Sequence, residues 1–171
     1  PEFGSAVYLA QMNEVISLTQ NLTAAQRLLV EYWADGPRSV QPPGHWLLFA
    51  LEVSKRDRHE LDRDVALFFT LGNAVMDAGI GCWECKRAFN TSRPITAIRN
   101  ADLTSNPATP REASWQPLGV TPMHPEYPCA HCILSGTVAA LIKTTLGSAD
   151  VPEVAMTSPT APGVTHQIGR A

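Results

Sequence analysis

The chain has 171 residues, 44% of them hydrophobic and 17% charged, with a formal net charge of -3. That is enough apolar material for one packed domain. The mild negative charge offers no basic field for nucleic acid or for an acidic membrane surface. The sparse charge suits a subunit that buries surface against a partner, as in a homo-oligomer, or against missing segments, and equally a Pro-rich monomer. Apolar runs such as Leu47–Leu51 are interrupted by charge, so no membrane span is expected. No secretory leader pattern is visible either.

In chain order, Ala6–Thr19 reads as a first helix, mixed in polarity and without a breaker. Thr23 with Gln26 three residues on forms a capping-box pattern. Leu28, Leu29, Tyr32 and Trp33 follow at helical spacing. Asp35-Gly36-Pro37 ends that helix. Pro42-Pro43-Gly44 reads as a turn into a third helix from about His45 to Ser54. A fourth and longest helix starts near His59, with Leu61, Val65, Phe68, Phe69, Leu71 and Val75 on its apolar face. That face continues through Ile80 and Trp83 towards Phe89. Gly72, Gly79 and Gly81 inside it each cost roughly 1 kcal/mol relative to alanine, which points to close helix packing.

From Ser92 to Cys129 the chain holds seven prolines and reads as a long loop, too apolar for a disordered linker. Within it, Thr96–Arg99 is expected to pin the loop. A last helix runs from about His131 to Leu146, and the Pro- and Thr-rich tail after Gly147 reads as irregular, with no convincing strand pair.

Three features carry chemistry. Lys86 and Arg93 place two cations around the end of the long helix, where complementing the helix dipole is an alternative role. Pro128-Cys129-Ala130-His131 directly precedes an apolar helix, whose free N–H groups suit an anion. His131 there fits an acid–base role or a capping one. The four cysteines form two C-x-x-C pairs, Cys82/Cys85 and Cys129/Cys132. Such pairs can hold structural zinc, but Cys82 and Cys85 fall one helical turn apart rather than in a tight turn. Buried, reduced thiols at Cys82 and Cys132 are the plainer reading; a redox pair at Cys129 and Cys132 is the other.

Together, Trp33–Pro37, Pro42–Trp46, Lys86–Arg99, Asn106-Pro107-Ala108-Thr109 and His124–His131 resemble soluble vanadium haloperoxidases and the type 2 phosphatidic acid phosphatases joined to them. The resemblance implies an all-α helical bundle with a long Pro-rich loop, and one helical oxyanion-binding domain over residues 1–171. It implies vanadate, or phosphate in its place, held by Lys86, Arg93, Cys129 and Ala130, with His131 catalytic and no direct protein ligand to a metal visible. The reaction implied is halide oxidation by hydrogen peroxide, on a small-molecule substrate. Phosphoester hydrolysis and a non-catalytic ligand-binding or assembly scaffold are the alternatives.

Two departures stand out. The family's Ser-Gly-His reads Cys129-Ala130-His131 here, which exchanges a good hydrogen-bond donor for a weak, oxidisable one. The family's distal arginine and Gly-x-His are not found: Thr157–Thr165 resembles the stretch before them and His166–Ala171 the helix after. The expectation is therefore an incomplete record of a longer chain, with His166 and Arg170 not taking the distal roles. In the family's pocket Cys85 would lie near Cys129, so a Cys85–Cys129 or Cys85–Cys132 disulfide would follow in an oxidising, extracytoplasmic compartment.

Overall fold

A computed structural model describes residues 1–103, 106, 108, 111–148 and 150–170. The fold is mainly helical: α1 (Ala6–Gln20), α2 (Ala24–Tyr32), α3 (Gln41–Asp57), α4 (Leu61–Phe89), α5 (Pro94–Arg99) and α6 (Ala130–Leu146), followed by β1 (Asp150–Ser158) and β2 (Ala161–Arg170). Contacts divide the chain into two units, Pro1–Thr23 with Cys85–Pro128 and Ala24–Glu84 with Cys129–Ala171.

In the first unit, Ser5 caps α1 by accepting from the Tyr8 amide at 3.2 Å, which satisfies one orphan donor of the helix start. Met12 and Ile16, one turn apart on α1, pack with Ile98, Ala101 and Trp115. The Pro-rich stretch is thus tied to a core, and it contains α5 and a short 3-10 turn at Ala101–Leu103. Arg99 Nε donates to the Trp115 carbonyl at 2.9 Å, and Arg111 Nε donates to the Arg99 carbonyl at 3.0 Å. The Asn106 side chain donates to the Gly4 carbonyl and accepts from the Ala108 amide. Pro107 and Thr109 of that motif lie outside the described residues.

The second unit has two packed clusters. One joins Ala50 of α3, Leu71 and Val75 of α4, and Leu134 and Val138 of α6. The other joins Tyr32 and Phe49 to Val154, Met156 and Ala161 of the two strands. Tyr32 is fully buried, and its hydroxyl donates to the Met156 carbonyl at 3.1 Å.

Several expectations are corrected here. The tail is an antiparallel hairpin, with Met156 opposite His166 and Thr157 opposite Thr165. Val154, Met156 and Ser158 are buried while the residues between them are exposed, the period-2 pattern of a half-buried strand. Pro42 and Pro43 do not precede α3 as a turn but occupy its first turn, where a missing N–H costs nothing. Gly44 follows because a Cβ there would meet Val40 Cβ at 2.7 Å. A Cβ at Gly72, Gly79 or Gly81 would meet nothing within 4 Å, so those glycines do not serve close packing.

The expected apolar face of α4 also divides. Leu71 and Val75 are buried, whereas Leu61, Val65, Phe69, Met76, Ile80 and Trp83 are exposed. Leu61–Arg99 contains an apolar window long enough to cross a membrane, by length and composition only, and 17% of it is buried. Gly, Thr and Asn break up the apolar runs of this helix without adding charge. Between Val65 and Glu84 the one charged residue is Asp77.

Candidate oxyanion site

Lys86 and Arg93 are brought onto one short segment of the first unit. Lys86 sits in the last turn of α4, where a cation complements the helix dipole. Its side chain is nevertheless buried, at 2% exposure. Nζ donates to the Pro125 carbonyl at 2.7 Å and the Glu126 carbonyl at 3.0 Å. A buried ammonium needs such acceptors to offset lost hydration.

Arg93 is the N-cap residue of α5, held extended ahead of Pro94, as a residue preceding proline prefers. Its guanidinium spreads over the same segment. Nε donates to the His124 carbonyl at 2.6 Å, Nη1 to Glu126 Oε2 at 2.8 Å, and Nη2 lies 2.8 Å from His124 Nδ1. Guanidinium only donates, so His124 Nδ1 is the acceptor of that contact. The same nitrogen lies 3.2 Å from the Pro125 carbonyl, to which it can only donate, so the two contacts call for different ring tautomers. Burial holds His124 below the usual imidazole value; the charges of Arg93 and Lys86 act in the same direction, against the Pro125 carbonyl and Glu126. The backbone is fixed further by the Thr91 carbonyl, which accepts from the Glu126 amide at 3.2 Å, and by Thr91 Oγ1, which accepts from the Tyr127 amide at 2.8 Å.

Cys129, Ala130 and His131 belong to the second unit and start α6. Cys129 is the N-cap, extended in backbone, and its Sγ accepts from the Cys132 amide at 3.3 Å. A sulfur takes the place that serine or aspartate oxygen usually fills at a helix start. Ala130 and His131 form the first turn, with the His131 side chain on an exposed residue. All four cysteines are free, Cys82 buried and Cys85, Cys129 and Cys132 exposed. The hydrogen bond to Cys129 raises the Cys132 thiol above its ordinary value, and burial and the Cys129 charge add to the shift. Among the described residues no group of three or more His, Cys, Asp or Glu is placed to hold a metal ion.

Within the first unit, an ammonium and a planar guanidinium are donors that suit an anion in kind. In this arrangement Arg93 already holds a carboxylate, that of Glu126. His124 and Glu126 were quoted in the sequence only as part of a motif, and the signal for their role was chemical. An acid and an imidazole flanking one proline, in a chain with two nearby cations, are natural partners for them.

The second unit contains a further buried polar pair. His45 Nδ1 lies 2.7 Å from Asp35 Oδ2, and both side chains are 2% exposed. Trp33 stacks on the His45 ring at 4.9 Å. Asp35 has φ 40, a left-handed conformation that Asp tolerates better than most residues. This pair accounts for the Trp33–Pro37 and Pro42–Trp46 motifs as structure. His166 lies on β2 with its ring 4.3 Å from that of Tyr32.

Among known families, the chain matches the model of the VCPO second helical-bundle domain over residues 66–169, more than half of its length. No curated protein and no solved structure matches it.

Proposed function

Since the chain belongs to the family of the vanadium haloperoxidase second helical-bundle domain, we propose that it binds vanadate through Lys86, Arg93 and the Cys129–His131 turn and oxidises halide with hydrogen peroxide. One observation carries the reading: Lys86 and Arg93 both turn onto the segment His124–Glu126, and Arg93 already holds an anion there. Lys86 and Arg93 would neutralise the oxyanion, Arg93 by exchanging the Glu126 carboxylate for it. The free N–H groups of the first turn of α6 would donate to its oxygens. His131 would give and take a proton at the reacting oxygens. Bound vanadate would supply activation of peroxide towards halide. Cys129 would offer only a weak S–H donor and would itself be open to oxidation. His166 is not assigned the role of the family's distal histidine in this reading.

The contact of Glu126 with Arg93 also favours a second reading, a scaffold in which an internal carboxylate has replaced the bound oxyanion and catalysis is lost. Calorimetry with orthovanadate and a bromination assay with peroxide separate the two. Vanadate binding that tightens in Glu126→Gln, together with bromination, supports the haloperoxidase reading. Activity on a phosphate ester in vanadate-free protein, without bromination, selects phosphoester hydrolysis. Absence of binding in both wild type and Glu126→Gln selects the scaffold, and gain of activity in Cys129→Ser would show that the cysteine had switched the site off.

A further inference from the structure

A separate cavity of about 300 Å³ lies within the second unit. Its walls come from Phe49 and Val53 of α3, Leu67 and Leu71 of α4, and Leu141 and Ile142 of α6, with β1 closing one side through Val154. The volume is at the small end for a ligand pocket. The polar lining is concentrated where α3 passes into α4, at Arg56, Asp57, His59 and Arg63.

These four groups are unequally satisfied. Arg56 is fully engaged: Nε and Nη2 donate to Asp57 at 2.6 and 2.8 Å, and Nη1 donates to the Pro152 carbonyl at 2.7 Å. The hydrogen bond to Arg56 therefore lowers the Asp57 carboxyl from its ordinary value. Arg63 is exposed, and its guanidinium makes no hydrogen bond among the described residues. The His59 side chain is 4% exposed. Its Nδ1 lies 3.2 Å from Asp64 Oδ1, so Nδ1 carries the proton of that contact. Nε2 is buried without a hydrogen-bond partner, and the nearest carboxylate oxygen, Asp57 Oδ2, is 3.8 Å away. A buried polar atom left in this state is costly. The charges facing His59 are thus Arg56 and Asp57 from the end of α3, and Arg63 and Asp64 from the start of α4.

We propose that this cavity binds a single-chain alkyl carboxylate, with the chain along the apolar walls and the head between Arg63 and His59. Arg56 is taken up by Asp57 and the Pro152 carbonyl, and Arg63, whose charge also acts on Asp57, is the rim cation whose guanidinium makes no hydrogen bond among the described residues. A carboxylate accepts from guanidinium in two places and from the Nε2–H of a protonated His59 in a third. An apolar enclosure with one charged end selects an amphiphile over a sugar or a nucleotide, neither of which has a chain to desolvate. The lining residues are distinct from Lys86, Arg93 and the Cys129–His131 turn, so this inference does not rest on the haloperoxidase reading.

The test is calorimetric titration of the whole chain with decanoate, with 1-decanol as the uncharged control. Decanoate is expected to bind once per chain and more tightly than decanol. Arg63→Gln, an exposed position, should weaken decanoate at least about tenfold, through loss of the charge-assisted contact to the guanidinium, and leave decanol unchanged. Ala66→Trp, which fills the cavity from an exposed wall position, should abolish binding while circular dichroism stays that of the wild type. Equal binding of decanol and decanoate, unchanged binding in Ala66→Trp, or no saturable decanoate binding would each overturn the proposal.

Discussion

Asp35 and His45 give the sharpest stability test. Their contact is short and both side chains are nearly sealed from water, yet Asp35 Oδ1 and His45 Nε2 have no hydrogen-bond partner. The pair therefore recovers only part of its desolvation cost, and its net worth against an apolar replacement is small. Removing one member is a different matter. Asp35→Ala deletes a charged hydrogen bond inside the core, about 1.5–3 kcal/mol, and places alanine at φ 40, which adds about 1 kcal/mol. The sum, about 2.5–4 kcal/mol, should lower the melting temperature by about 10 °C at this chain length. Asp35→Asn keeps both the tolerated backbone and an acceptor for His45 Nδ1, and should cost about 1 kcal/mol. Urea unfolding followed by circular dichroism measures both, and Trp33, stacked on His45, reports the site by fluorescence. Alanine and asparagine variants of equal stability, or an alanine cost below about 1 kcal/mol, would refute this account of the pair.

Three other outcomes follow from the geometry. Lys86→Met removes the donor shared by the Pro125 and Glu126 carbonyls and should cost about 2–3 kcal/mol, with amide exchange quickening at Glu126 and Tyr127; unchanged exchange there would contradict the anchoring role. Because burial and neighbouring cations hold His124 low in the folded state, the unfolded chain takes up the proton first. Stability should fall as the pH drops through about 6.5 and level off below the folded value, and His124→Gln should flatten that part of the pH–stability curve. Cys129→Ala removes the hydrogen bond that does most to raise the Cys132 thiol, so alkylation of Cys132 at mildly alkaline pH should quicken, as read by mass spectrometry of the modified peptide.

What was legible in the sequence, and what was not, follows the range of the interactions involved. Helix boundaries are local, and the first helix from Ala6 and the last one ending at Leu146 were readable to within a residue or two, whereas α3 starts at Gln41 rather than His45 because its prolines belong to the first turn. The faces of α4 were harder. Apolar residues three and four apart occur along both Leu61–Val65–Phe69 and Phe68–Leu71–Val75, so periodicity alone could not tell the buried row from the exposed one. The hairpin was hidden by composition: Pro152, Pro159 and Pro162 suggested a loop, although Val154-x-Met156-x-Ser158 and Val164-x-His166-x-Ile168 alternate as strands do. At the candidate site the residue types were readable, because two cations and a helix start attract anions wherever they occur. Their present partner was not, because the contact between Arg93 and Glu126 spans a Pro-rich stretch with no periodicity to read. The same limit separates the two chemical readings. Family membership rests on a pattern spread along residues 66–169, whereas oxyanion binding depends on whether one carboxylate leaves one guanidinium. That balance sits in a contact with Glu126 43% exposed, where an ion pair is worth about 1 kcal/mol or less, so an oxyanion with several acceptor oxygens can compete for Arg93. For that reason Glu126→Gln tests the haloperoxidase reading more directly than any change to the donors themselves.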